Sequence, residues 1–269
     1  MKKSIKSKSQ IYLNSVVISW FSVAVVSQII FATYVILFYG KATLSGHSEY
    51  WNKILPHGYV NGEVIGNLVV GLHLFLAAVI IVGGPLQLIT KIRNRFRKFH
   101  RWNGRIFIFT AYVLSITGLT MVWGRGAVGG LAQHISISIN AILIIIAATM
   151  TIFFAVRRNI KIHSSWAIRL YLLVNGVWFF RVGLFFWLFV NNGPYGYDPK
   201  TFQGPFLTFL SISQYSIPLI LFELYLFAKR KNIAILNYSA SFILFLFILI
   251  IAIGSYSIST SLWFPMMAE

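Results

Sequence analysis

The chain contains no cysteine, which excludes disulfides, thiolate nucleophiles, iron–sulfur clusters and cysteine zinc sites. Acidic residues are nearly as scarce: 5 Asp and Glu stand among 269 residues, against 23 Lys and Arg. Charged residues make up only 10% of the sequence, where soluble domains carry about 25%. No HExxH pattern occurs and no aspartate falls inside an apolar segment, which argues against a membrane hydrolase with a histidine metal site. The last apolar segment, 233–256, holds no lysine for a Schiff base, so a retinal protein is excluded. Glu223 is the only acid inside an apolar segment, which counts against carboxylate-coupled transport.

What is present is apolar residues, at 58% of the chain. A helix needs about 20 mostly apolar residues to cross a bilayer. Seven segments meet that length: 15–39, 65–90, 105–124, 133–156, 166–191, 206–228 and 233–256. The N-terminal MKKSIKSKSQ resembles the basic region of a signal peptide. The apolar run Val16–Tyr39 behind it is too long for one and lacks a small-residue cleavage site, so a retained first membrane helix is expected.

The formal charge of +18 is concentrated in short connections. Lys91–Arg105, KIRNRFRKFHRWNGR, carries seven cations and no acid. With Lys2, Lys3, Lys6, Lys8, Arg157–Lys161 and Lys229–Lys231 it forms one basic side. Lys41, Glu49, Lys53, Glu63, Arg125, Asp198 and Lys200 lie sparsely on the other. This is the positive-inside pattern rather than a nucleic-acid footprint, so no nucleic-acid partner is expected. It places the N-terminus in the cytoplasm and the C-terminus outside. Residues 1–269 then form one integral membrane domain, an all-α bundle of about seven helices. Its expected four-helix core is 65–191, and the outer loops Gly40–Gly62 and 191–204 cap the far end.

Four of six histidines stand near the starts of four consecutive segments. Because alternate helices run in opposite directions, His73 and His134 share the outer level, while His100 and His163 share the inner one. Two histidines at one level on different helices can clamp a haem iron from both faces. His73 lies well inside the hydrocarbon, where an ionisable side chain marks function by default. Asn103–Gly104 is a turn signal, so the third helix is expected to begin after it and leave His100 in a loop. Arg181 is costly in the outer half of the fifth segment and requires an anion, a cavity or the interface. Eighteen residues from His163, it falls on the same helix face. Glu223 is read as a structural partner of Arg169 or of Lys229–Lys231.

The motifs GLHLFL, GGPLQL, FHRWNGRIF, IHSSWAIRLY and the later FFR resemble DUF2306, a family of predicted bacterial membrane proteins. They cover the middle four helices. The resemblance implies a multi-pass protein of a bacterial cytoplasmic membrane and no settled chemistry. A weaker likeness runs to cytochrome b561-type proteins, which imply two haems, ligated by His73 with His134 and by His100 with His163.

Two functional expectations follow. In the first, helices two to five bind haem b and move electrons across the membrane to a redox partner, as a membrane oxidoreductase. The four histidines then ligate iron, and Arg101, Arg105, Arg169 and Arg181 contact propionates or an anionic donor. In the second, the protein is a transporter or lipid- or ligand-binding protein without haem. The histidines and Arg181 then line a polar cavity for an anionic small molecule. The lipid bilayer is a partner in both.

Overall fold

The structure is a computed structural model, which describes residues 7–126 and 129–268. Lys2, Lys3 and Lys6, assigned above to the basic side, lie outside the described residues. Helix α1 (Lys8–Tyr34) is capped by Ser7, whose hydroxyl accepts from the Gln10 amide at 3.3 Å. It runs on through a π-helical turn, Val35–Gly40, into the short α2 (Lys41–Leu44). The chain then folds back through a 3-10 turn, Ser48–Lys53, where buried Trp51 donates from Nε1 to the Tyr39 carbonyl at 3.3 Å. Gly71 leaves room for that indole, since a Cβ there would lie 3.2 Å from Trp51 Cη2.

Helices α3 (Val64–Leu88), α4 (Thr90–Arg95) and α5 (Arg97–Thr120) follow almost without interruption. The basic stretch Lys91–Arg105 is therefore helical rather than a loop, and His100 lies in the first turn of α5. The Asn103–Gly104 turn signal is overridden by tertiary contacts. Asn103 donates from Nδ2 to the Gly83 carbonyl at 2.9 Å, and Gly104 lets Gln87 approach. Two glycines thus bring the end of α3 against the start of α5, and the Asn amide is satisfied without breaking the helix.

A second π-helical turn, Met121–Gly126, extends α5. Next come α6 (Leu131–Val156), α7 (Ile160–Val174), α8 (Gly176–Asn191), α9 (Pro205–Lys231) and α10 (Ala234–Ile258). A π-helical turn, Ser259–Trp263, leads to α11 (Phe264–Ala268). Pro205 occupies the first position of α9, where its missing N–H removes no hydrogen bond. Asn232 ends α9 with a left-handed φ of 53°.

Six helical stretches are long and apolar enough to cross a membrane, and α7 with α8 makes a seventh, bent by 52°. The seven segments read from the sequence are all present. The fifth is not one rod: it breaks at Asn175, so the single face joining His163 to Arg181 does not exist. Burial is inverted relative to a soluble domain. Phe75 is 67% exposed while Gln28 is 1% exposed. Large apolar side chains on the outside and polar ones within fit a bundle whose outer solvent is lipid. The buried apolar core draws on α1 and α10 as well as 65–191: Phe31, Tyr34, Ile251 and Ile258 are part of it.

The four acids within the described residues are all engaged. Glu49 meets His47 at 2.9 Å, Glu63 meets Arg125 at 3.0 Å, and Glu223 meets Arg169 at 2.5 Å. Asp198 accepts from the Lys200 amide at 2.9 Å and the Thr201 hydroxyl at 3.0 Å. Arg125 also donates to the His57 and Gly58 carbonyls and to Asn67, stitching the Gly40–Gly62 connection to α3.

Candidate functional site

The sequence-derived site residues separate into two ends. At the basic end, α3, α5, α6 and α7 meet, and the family motifs converge. Gly84 packs so closely that a Cβ there would lie 2.9 Å from Tyr171 and 3.1 Å from Phe107. These residues come from GGPLQL, IHSSWAIRLY and FHRWNGRIF. Beside them, His163 Nδ1 lies 2.9 Å from the Thr151 carbonyl. A carbonyl only accepts, so Nδ1 carries the proton and Nε2 presents a lone pair. His100 lies within electrostatic reach of His163 and Arg93. Its Nδ1 and the nearby Gln87 Nε2 are buried without partners.

The outer pair is held differently. His73 Nδ1 lies 2.8 Å from Thr117 Oγ1 in the α3–α5 seam. Gly118 admits the ring, since a Cβ there would lie 3.5 Å from His73 Cε1. His134 packs edge-on against Trp123, with ring centroids 5.8 Å apart, and Trp123 donates onward to Ser138 at 3.0 Å. The two imidazoles engage α5 at different turns, and these contacts do not set them as opposed axial ligands. Among the described residues no cluster of three or more His, Cys, Asp or Glu could hold a metal ion.

The arginines also divide. Arg169 donates from Nε and Nη2 to Glu223, so its charge is neutralised within the protein. Arg101 and Arg105 are exposed at the basic end, Arg105 lying 5.0 Å from the Trp102 ring centre. Arg181 is different. Its guanidinium lies 5.3 Å from the centre of the Phe31 ring, within electrostatic reach of Tyr34 and Tyr39. No acid among the described residues neutralises it, because the four there are engaged elsewhere.

Around Arg181 the bundle builds a cage from α1, α8 and two π-helical turns. Trp263 stacks 5.2 Å from Phe31 and 6.2 Å from Tyr34. Its indole Nε1 is fully buried and has no acceptor, and neither does Ser259 Oγ on the same π-helical turn. Extra-residue turns of this kind recur at functional sites, where they re-aim side chains inside a helix.

Sequence reasoning missed the polar interior between these ends. Trp178 donates to Ser27 at 3.0 Å, Ser27 and Ser255 hydroxyls lie 2.6 Å apart, and Tyr171 donates to Gln28 at 2.7 Å. Ser136 of α6 donates to the Ser211 carbonyl of α9 at 2.6 Å. Spaced serines, Asn and Gln inside apolar helices were the available signal.

Fold and interior together define a polytopic all-α membrane protein with a polar core. Residues 70–203 match the family model described as Predicted membrane protein (DUF2306). The five motifs noted above all lie inside the matched region. No curated protein and no solved structure matches the chain, so the likeness to cytochrome b561-type proteins finds no support.

Proposed function

We propose that this multi-pass protein binds an anionic amphiphile in the membrane, with Arg181 receiving the acidic head group. The observation that carries the reading is the guanidinium over Phe31, which none of the acids among the described residues neutralises. A charged side chain at helix centre disfavours insertion by about 3 kcal/mol, so such residues are kept with an anion or a cavity. The Trp263 indole N–H supplies a second donor without an acceptor, and the surrounding rings suit an apolar chain. A phosphate or carboxylate head with a hydrocarbon tail satisfies both. The basic end, with Lys8, Arg93, Arg157 and Lys229, faces the cytoplasm in this reading, and the Arg181 end faces out.

Native mass spectrometry of the purified protein tests this, with phosphatidylglycerol, oleate and phosphatidylcholine as probes. Wild type retains an acidic lipid in preference to phosphatidylcholine, Arg181→Gln loses that preference, and Arg181→Lys recovers part of it. Phosphatidylglycerol and oleate separate a phosphate from a carboxylate ligand. Equal retention of all three lipids by wild type and Arg181→Gln would overturn the assignment.

A second reading rests on the inner histidines. The Thr151 carbonyl bond to His163 is the kind that orients a metal-ligating imidazole. With His100 within its electrostatic reach, this pair rather than His73 and His134 is where haem b would be held, near the exposed Arg101 and Arg105. The contacts of His73 and His134 do not fit that role. A reduced-minus-oxidised spectrum of protein expressed with haem available tests the pair, with His163→Ala removing any b-type signal. A flat spectrum from the wild type rejects it.

A further inference from the structure

The break between α7 and α8 sits deep in the bundle, and the polar groups gathered there are not used by either reading above. Asn175 closes α7 and opens α8 with φ −90° and ψ 10°, and it is 2% exposed. Its Nδ2 donates to the Tyr171 carbonyl at 2.7 Å. From α6, Asn140, 9% exposed, donates from Nδ2 to the Leu173 carbonyl at 3.3 Å. Both partners are carbonyls, which only accept, so neither amide can be turned over without setting oxygen against oxygen. The orientation is therefore forced, and Oδ1 of Asn140 and Oδ1 of Asn175 are left buried with no donor.

Gly176 shows how tightly these groups surround the break. A Cβ there would lie 2.8 Å from Asn140 Nδ2 and 3.4 Å from Gln214 Oε1 of α9. Two side-chain amides from two other helices thus meet the break beside its own Asn175. A buried acceptor without a donor is unfavourable by about 1–3 kcal/mol, so two at one break call for an occupant. Interrupted helices in membranes are tolerated where their freed backbone lines such a site.

The chemistry of the occupant follows from the atoms offered. Uncharged oxygen donors suit a hard cation, and no carboxylate is within the set, since Glu223 is held by Arg169. Divalent ions take carboxylate-rich shells, whereas a monovalent ion accepts amide and backbone carbonyl oxygens. We propose that the α7–α8 break binds an alkali-metal cation through Asn140 and Asn175, with Gln214 beside them. The site is independent of what Arg181 binds.

The test is thermal unfolding of the purified full chain in an uncharged detergent at constant ionic strength. Choline chloride is replaced stepwise by the chlorides of sodium, potassium or lithium. The expected result is a saturable rise of several degrees in Tm with one of these ions. Asn140→Ala and Asn175→Ala abolish that rise. If either fails to fold, Gly176→Ala serves instead, because its Cβ displaces the Asn140 amide and raises the half-saturating concentration. Two outcomes overturn the proposal. One is a Tm unmoved by all three ions, which assigns the oxygens to buried water. The other is a rise of equal size in wild type and variants, which assigns the effect to general salt.

Discussion

Thr117 accepts the Nδ1 proton of His73. The single hydroxyl proton of Thr117 is committed to the Val113 carbonyl at 2.8 Å, so the bond of 2.8 Å to the imidazole runs from ring to hydroxyl. This fixes the tautomer of a histidine placed among lipid-facing helices, with Nε2 bearing the lone pair. It also gives that histidine a structural partner in the seam between α3 and α5.

Thr117→Val keeps the shape and removes the acceptor. Leaving the imidazole N–H unpaired is expected to lower stability by about 1–3 kcal/mol. His73→Leu combined with Thr117→Val should restore part of the loss. Denaturant unfolding of the two single variants and the double measures the coupling, and additive losses would show that the bond carries no energy.

The approach of α10 to α8 rests on Gly254, where a Cβ would fall on the Val182 carbonyl oxygen. Gly254→Ala is expected to destabilise by about 1–3 kcal/mol through overpacking. Gly124→Ala serves as the control, since a Cβ there meets nothing within 4 Å. Tm in detergent should fall for the first and hold for the second.

The loop after α8 responds to acid through Asp198. Hydrogen bonds from the Lys200 amide and the Thr201 hydroxyl hold its carboxyl below the usual 3.8. A depressed value means the unfolded loop binds the proton more readily, so the contribution is fully present above pH 3.8 and is lost as pH falls below it. Fluorescence of Trp187, which donates to the Tyr195 carbonyl at 2.8 Å, reports the loop. Wild type should show an acid transition that Asp198→Asn lacks.

The absence of cysteine makes topology directly measurable. Lys200→Cys should react with a membrane-impermeant maleimide in intact cells, and Lys161→Cys only after permeabilisation. The reverse pattern would invert the orientation.

The membrane class, the seven apolar segments and the basic charge of alternate connections could be read from residues alone. They depend on run length and on the side chain's preference for water or lipid, both local properties. The scarcity of acids was legible too, and it carries the case for Arg181. Pairing was not legible. His100 and His163 were the doubtful pair in sequence because Asn103–Gly104 looked like a turn. The Asn103 bond to Gly83 keeps α5 helical and puts His100 in its first turn, within electrostatic reach of His163. His73 and His134 share a level in sequence, yet Thr117 and Trp123 claim them separately.

The composition and order of residues by themselves determine that this chain is a polytopic membrane protein with seven apolar segments and that the arginine in the fifth of them lacks an acid nearby in sequence. Only the tertiary structure decided that the fifth crossing breaks at Asn175, that Asn140 and Gln214 arrive there from other helices, and that Trp263 closes over Phe31. Hydropathy is summed along one helix, whereas a hydrogen bond between helices depends on rotation and crossing angle. Those are set by how all the helices pack at once.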